Sequence, residues 1–436
     1  MKKLHRQALT LILALIMLFA TSLSSVTAVG ADAPITLQSV PPDGVTTTYL
    51  DVFPDPVLAA DVAWSLYKKA TDVVSASELE SIIYVYTWNN NIVNIDGVQR
   101  LVNLRELNLY NNQINDISPL AELTKLEELL LSRNQISDIS PLAGLTNLRF
   151  LELSENQISD LTPLAGLTDL RRLSLDGNQI SDIIPLAGLT DLLGLYLNYN
   201  QISDISPIAG LTSLRILWLH KNQISDLTPL AGLTNLQDLR LFVNQISDIS
   251  PLSGLTDLEG LWLQDNQISD ISPLSGLISL QGLDLSENQI SDIAPLAELT
   301  RLLLLDLSDQ SITLDDVVIN TSTKFAVKDI NSDSVELTLL NDGTYEDGIL
   351  TWTEVGENQA TWSTSVTIGN ATAGFSGTVS QYVRNYNIND ILAVRDFILG
   401  KTLPPANDRT MMDVNKDGVI NIFDMLVMRD WILRRR

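Results

Sequence analysis

The chain has no cysteine, two histidines in 436 residues, and about half as many basic as acidic side chains, 27 Lys and Arg against 53 Asp and Glu. Each shortage excludes something. Without cysteine there is no disulfide, no thiolate nucleophile and no zinc–thiolate centre. A formal net charge of −26 opposes nucleic acid, which is bound by releasing counterions to Lys and Arg. His5 lies in the N-terminal leader, so His220 alone is available for acid–base work. No glycine-rich phosphate cradle is present. Carboxylates abound, but no motif sets two of them in a pocket, and the chain reads as non-catalytic.

Long apolar runs are also scarce. The one near the N-terminus, Ala8 to Ala20, follows Lys2, Lys3 and Arg6 and precedes small residues through Ala28 and Ala31. Residues 1–31 therefore read as a secretory signal, with a retained N-terminal anchor as the alternative. No later stretch is apolar enough to be a transmembrane anchor. The expectation is a secreted, extracellular monomer held by its core, by metal, or by both.

What is present is a period of 22 residues. From Leu101 to Glu298, nine segments follow the template LTxLxxLxLxxNQISDISPLAG. A looser copy precedes them (Leu79–Arg100) and a truncated one begins at Leu299, making about eleven turns. Repeat positions 1, 4, 7, 9, 14, 17 and 20 are apolar and point into a shared core. Positions 6 to 10 alternate as a short strand does, and strands of successive turns stack into a parallel sheet. Position 12 is Asn112, Asn134, Asn156, Asn178, Asn200, Asn222, Asn244, Asn266 and Asn288, with Asn90 before them and Gln310 after. A buried amide carries two donors and an acceptor, enough to join the backbones of adjacent turns. Position 16 is aspartate from Asp116 to Asp292. In Ser-Asp-Ile-x-Pro this residue suits the capping of a tight turn better than a metal ladder.

The outward strand positions 6, 8 and 10 are where a ligand would meet the sheet. They carry Tyr84, Tyr86 and Trp88 in the first strand and Tyr110 in the next. Tyr196, Trp218, His220, Arg240, Phe242 and Trp262 occupy the central turns. Tyr196, Trp218, Arg240 and Trp262 share position 8 in four successive turns, roughly 5 Å apart. Aromatic and Arg clusters of this kind anchor protein partners, and the same rings could stack on sugars. The residues leave protein and glycan both open.

The unit built on "NQISDISPLAGLT" resembles the internalin subfamily of bacterial leucine-rich repeats. The flanks agree. "VFPDPVLAADVAWSLYKKATDVVSASELESI" resembles the helical cap before internalin repeats, with Asp55-Pro56 starting one helix and Ser75 and Glu78 boxing another. "NDGTYEDGILTW" and "VTIGNATAGFSGTV" resemble the immunoglobulin-like domain after them. The resemblance implies an α/β solenoid, right-handed, with its parallel sheet on the concave face. It divides the chain into a linker and helical cap (32–78), repeats (79–312), an immunoglobulin-like β domain (313–384) and a tail (385–436). It also implies that the concave face binds a surface protein.

The tail resembles a second family. "DVNKDGVINIFD", Asp413 to Asp424, sets oxygen ligands at Asp413, Asn415, Asp417, the Val419 carbonyl and Asp424, with Gly418 at the sharp turn, which suits one calcium ion. A shift of 34 residues aligns Asn385–Gly400 with Val419–Arg434, so two loop–helix copies stand in tandem. This arrangement is similar to a type I dockerin, the EF-hand-like helical module that plugs proteins into cohesin-bearing scaffolds. The first copy departs from that pattern. Val379, Gln381 and Val383 stand where ligands belong, so no calcium is expected there, and "GTVSQYV" can serve as strand instead. Ile422-Phe423 and Ile388-Asn389 replace the small hydroxyl residues dockerins present to cohesin. The module thus binds a divergent cohesin or packs on the β domain. No Leu-Pro-x-Thr-Gly sorting signal is found, which makes the tail the economical means of attachment. A polysaccharide-binding component of a carbohydrate-degrading assembly is the alternative function.

Overall fold

A computed structural model describes residues 47–385, 388–399, 426 and 428. Its N-terminal elements follow their caps. A single turn, α1 (Tyr49–Val52), precedes α2 (Pro56–Trp64), where Asp55 accepts from the amides of Val57 and Leu58 at 2.9 and 3.1 Å and proline occupies the first helical position. The Ser75–Glu78 capping box starts α3 (Ala76–Ser81). Phe53, Leu58, Ala59, Val62 and Ala63 are fully buried in the apolar core continuous with the first repeat. Contact with that repeat is tight. Gly97, at φ +101°, leaves room for the Val52 carbonyl, which an added Cβ would approach to 2.3 Å.

One three-residue strand follows per turn, β1 (Tyr84–Tyr86) to β10 (Gly282–Asp284), with β2 to β9 running from Glu106–Asn108 to Gly260–Trp262. All pair in parallel and in chain order, with no register slip across turns: Tyr84 faces Glu106, and Gly282 faces Leu304. The inward leucines and isoleucines of every turn lie in one continuous core. Burying each such side chain stabilises by about 1.5–3 kcal/mol.

Asparagine joins the turns as its chemistry requires. The Asn134 Oδ1 accepts the Ile114 amide at 3.0 Å. Its Nδ2 donates to the carbonyls of Leu109 and Leu131, both at 3.0 Å. The pattern repeats to Asn288 and then to Gln310, whose longer side chain accepts from Ile290 and donates to Leu285 and Leu307. Asn90 has no earlier repeat to reach and donates to Asp61 of α2 at 3.2 Å. Across the turn, each position-16 aspartate accepts the amide two residues on, as Asp204 does from Ser206 at 2.8 Å, and opens a short 3-10 turn at the proline. These aspartates cap turns, as the sequence pattern suggested.

The solenoid ends in β11 (Leu304–Val318), a strand of 15 residues that continues past residue 312. Its first residues pair with β10 and the rest pair in parallel with the last strand of the β domain. That domain contains β12 (Ser322–Lys324), β13 (Val327–Lys328), β14 (Ser334–Val335), β15 (Thr338–Leu339), β16 (Gly343–Glu346), β17 (Ile349–Trp352), β18 (Gly356–Ile368) and β19 (Ala371–Arg384). β18 and β19 form a long antiparallel hairpin whose turn meets the last repeat. The Asn370 amide donates to Leu302 at 3.1 Å, and a Cβ on Gly369 would fall 2.3 Å from the Thr300 carbonyl. Val379, Gln381 and Val383 are buried in β19. The Gln381 Oε1 accepts the Trp352 indole N–H at 3.0 Å, and its Nε2 donates to the Asp315 carbonyl at 2.7 Å. The segment that lacks calcium ligands in the first loop copy is thus a core strand, as "GTVSQYV" suggested. The helix α4 (Ile388–Ile398) follows. The second loop, Asp413 to Asp424, lies outside the described residues.

Candidate binding site on the sheet face

The outward positions of the strands bring the aromatic residues together in the central turns. Register places Tyr196 beside Trp218, Trp218 beside Arg240, and Arg240 beside Trp262. The side chains close into one stack. The Tyr196 and Trp218 rings meet edge to face at 4.8 Å. The Arg240 guanidinium lies over both indoles, 3.9 Å from the Trp218 centroid and 4.7 Å from that of Trp262. Arg172 sits over the far side of the group, 4.8 Å from the Tyr196 ring. Asp238 holds the arrangement, accepting from the Trp218 indole at 3.2 Å and from Arg240 at 3.3 Å.

Glycine explains why the rings lie down. Gly260 occupies position 6 in the turn of Trp262, and a Cβ there would enter the indole at 2.3 Å. Gly194 lies under Tyr196 more loosely, where an added Cβ would press the ring at 3.3 Å. A glycine in an otherwise filled strand position signals close approach, and this is the signal that sequence reasoning passed over.

Packing changes the status of two candidates. Tyr196 and His220 are 7% exposed. His220 is stacked on Phe242 at 4.0 Å, with Tyr199 edge-on at 5.5 Å. Burial, reinforced by Arg240 and Lys221, pulls its pKa down to about 4, so the imidazole is neutral at pH 7. Its Nδ1 has no hydrogen-bond partner. Trp218, Arg240, Phe242 and Trp262 remain half-buried.

The first turn is different. Tyr84, Tyr86 and Trp88 are 48%, 49% and 56% exposed, and the two tyrosine rings lie 18° from parallel, 5.7 Å apart. Partial burial, and then the hydrogen bond that the hydroxyl donates to Glu106, raise the Tyr86 phenol above its usual range. Tyr110 stands apart from this pair and carries Arg133 over its ring at 5.6 Å.

Between the two aromatic groups runs an acidic stretch that motif reading did not single out. Glu106 and Glu128 are register neighbours at position 6. Glu152 follows at position 8 of the next turn and Asp176 at position 10 of the one after. Burial raises the pKa of Glu128, with Glu106 and Glu152 adding to it, and burial likewise raises Glu152 and Asp176. No group of three or more His, Cys, Asp or Glu among the described residues is placed to hold a metal.

The family described as leucine-rich repeats (two copies) matches residues 83–122, 124–166, 146–188, 190–232 and 234–276, and the one described as LRR adjacent matches 338–383. Among solved structures, an internalin (inlF) of Listeria monocytogenes is 39% identical over 61% of this chain and 92% of its own, with a TM-score of 0.48. An internalin C2 (inlC2) of the same organism is 36% identical over 59% and 96%, with a TM-score of 0.39. A leucine-rich repeat protein of Leptospira interrogans is 25% identical over 50% and 68%, with a TM-score of 0.37. No curated protein matches the chain. Among the described residues no helix is long and apolar enough to cross a membrane.

Proposed function

From its sequence identity over nearly the full length of two internalins, the chain belongs to the internalin-like leucine-rich repeat proteins, and on that premise we propose that it is a secreted, non-catalytic binding protein whose sheet face captures a protein partner. The observation that carries this reading is the Tyr196–Trp218–Arg240–Trp262 stack. A contiguous aromatic and guanidinium surface, half-buried at Trp218, Arg240 and Trp262, seated on the buried Tyr196 and braced by Asp238, is pre-organised as interface anchors are. It favours protein over glycan because the ring faces are taken. Arg240 covers both indoles, and Trp262 lies against the Gly260 backbone.

A glycan reading is favoured at a different place, the Tyr84–Tyr86–Trp88 group, whose side chains are the most exposed aromatics of the sheet face. We read the β domain as an immunoglobulin-like end cap. The tail is a dockerin-like module that holds one calcium ion through Asp413, Asn415, Asp417, Val419 and Asp424. That donor set is all oxygen and suits calcium. It tethers the protein to a cohesin-type partner.

Pull-down of cell-surface protein extracts and of insoluble polysaccharides by the full chain separates these readings. Trp218→Ala with Trp262→Ala abolishes protein capture. Tyr84→Ala with Trp88→Ala abolishes polysaccharide retention. Protein capture indifferent to the first pair overturns the central-stack reading. Calorimetry finds one calcium site, lost in Asp413→Ala; a second site overturns the assignment of the tail.

A further inference from the structure

The carboxylates of the sheet face form a diagonal. Glu106 and Glu128 are register partners, Glu152 pairs across from Leu130, and the Ser154 hydroxyl donates to Asp176 at 2.6 Å in the turn beyond. The line crosses the sheet from position 6 to position 10 in four turns. Arg172 packs among them, 3.6 Å from Glu152 and shared with the Tyr196 ring, and Arg133 attracts Asp176 at the far end. Four carboxylates in partial burial thus face two guanidinium groups, a charge imbalance that folding leaves in place.

A second observation lies where the diagonal ends. Asn198 occupies the same repeat position as Asp176 on the next turn, where the Gly177 amide donates to the Asn198 carbonyl. Asn198 is 6% exposed, and its side-chain Oδ1 has no partner. His220, next on the same row, repeats the situation at its Nδ1. A buried carbonyl oxygen without a donor is costly. Beside a desolvated carboxylate it is one wall of a site for a hydrogen-bonding cation.

We propose that Glu128, Glu152, Asp176 and the Asn198 Oδ1 form a receptor for lysine or arginine side chains on a basic segment of the protein partner. The segment crosses the strands diagonally and delivers its apolar end to the Trp218–Trp262 stack. This rests on the reading of the sheet face as a protein-binding surface and specifies the partner's charge and direction. A cation at Asp176 and Asn198 supplies the donor that Asn198 lacks and offsets the repulsion along the diagonal. The burial that raises the three carboxylates sharpens their preference for a bound cation over water.

The probe is octalysine, titrated against the full chain at two salt concentrations with tryptophan fluorescence as readout. Wild type binds with a strong salt dependence. Glu128→Gln, Glu152→Gln and Asp176→Asn together weaken binding by about tenfold or more. A control that removes the same number of charges on the opposite side, Asp204→Asn, Asp226→Asn and Asp248→Asn, leaves it within about twofold. Asn198→Ala, which changes no charge, weakens binding, and Asn198→Asp strengthens it. Neutralising the raised carboxylates relieves repulsion, so thermal unfolding of the first triple variant occurs at or above the wild-type temperature, and a loss of binding is not a loss of fold. Equal losses in the two triple variants, or indifference to Asn198, overturn the proposal. If that happens while capture of the surface-protein ligand still requires Trp218 and Trp262, the protein-binding reading stands and only the basic-segment receptor falls. Indifference in both assays overturns both.

Discussion

Two rows of carboxylates run along the solenoid, and they differ in every physical respect. The row on the turn side is periodic. Asp138, Asp204 and Asp270 accept the backbone N–H and hydroxyl of the serine two residues on, which hold them below the usual carboxylate range. Asp160 and Asp226 are lowered by the hydroxyl and amide of a threonine. The row on the sheet face is aperiodic: Glu128, Glu152 and Asp176 fall at three different repeat positions and are raised by burial. The first row stabilises the protein that carries it; the second is held at a cost. A repeated carboxylate whose oxygens are filled by its own backbone is architecture. An unrepeated one, desolvated and short of partners, is where binding is to be sought.

The contrast depends on the ladder between the rows, and the largest effect comes from breaking it. Asn178→Leu leaves the Ile158 amide and the carbonyls of Leu153 and Leu175 without their side-chain partner. It should cost roughly 3–5 kcal/mol in urea unfolding. A loss confined to a few tenths would mean that the turns are held by leucine burial alone.

Histidine sharpens the sheet-face side. The folded-state pKa of His220 lies near 4 against 6.5 for an unperturbed imidazole. As pH falls below about 6.5 the unfolded chain takes up the proton first. Stability is therefore lost between pH 6.5 and 4, by roughly 3 kcal/mol. His220→Phe, which keeps the stack on Phe242, should remove that part of the pH dependence.

The rows themselves respond to pH in opposite senses. Asp270→Ala removes a group with a depressed pKa. Its stabilisation is present above the ordinary carboxylate range and lost as pH falls through the lowered value. The variant melts a few degrees lower at pH 7 and converges with wild type in acid. Glu152→Gln removes a group with a raised pKa, which destabilises the fold above that value. The variant melts higher at neutral pH, and its advantage disappears as the wild-type carboxyl protonates. Parallel shifts in the two variants would erase the distinction between the rows.

The smallest effect concerns the residue that turns each strand toward the asparagine. It is left-handed in every full repeat. Glycine fills it once, at Gly177 with φ +67°, whereas Val243 holds φ +56° with a β-branched side chain. Val243→Gly should stabilise by about 0.5–1 kcal/mol, and Gly177→Val should destabilise by at least as much. Differential scanning calorimetry of the two variants reads the sign directly.

Much of this was legible in the primary structure. The 22-residue spacing set the strands, their parallel order and the asparagine bonds. Asp55-Pro56 and Ser75–Glu78 marked their helices. Val379, Gln381 and Val383 marked a strand in place of a calcium loop. The aromatic positions were legible as a list, but not which rings would stay open. Tyr86 and Trp88 share repeat positions 8 and 10 with Tyr196 and His220 and differ from them in what neighbours them across turns. The acidic diagonal escaped because its members occupy different repeat positions, so no column of the repeat displays them together.

The repeat by itself determined the register, because a slip of one residue would turn every leucine outward and leave each asparagine facing the wrong carbonyl. Only the tertiary structure decided the chemistry of the sheet face. There, stacking 22 residues apart in sequence and one strand apart in space laid Arg240 over two indoles. It also left Asn198 without a donor beside Asp176. Burial and partner supply belong to the neighbouring turns and not to the residue that carries them.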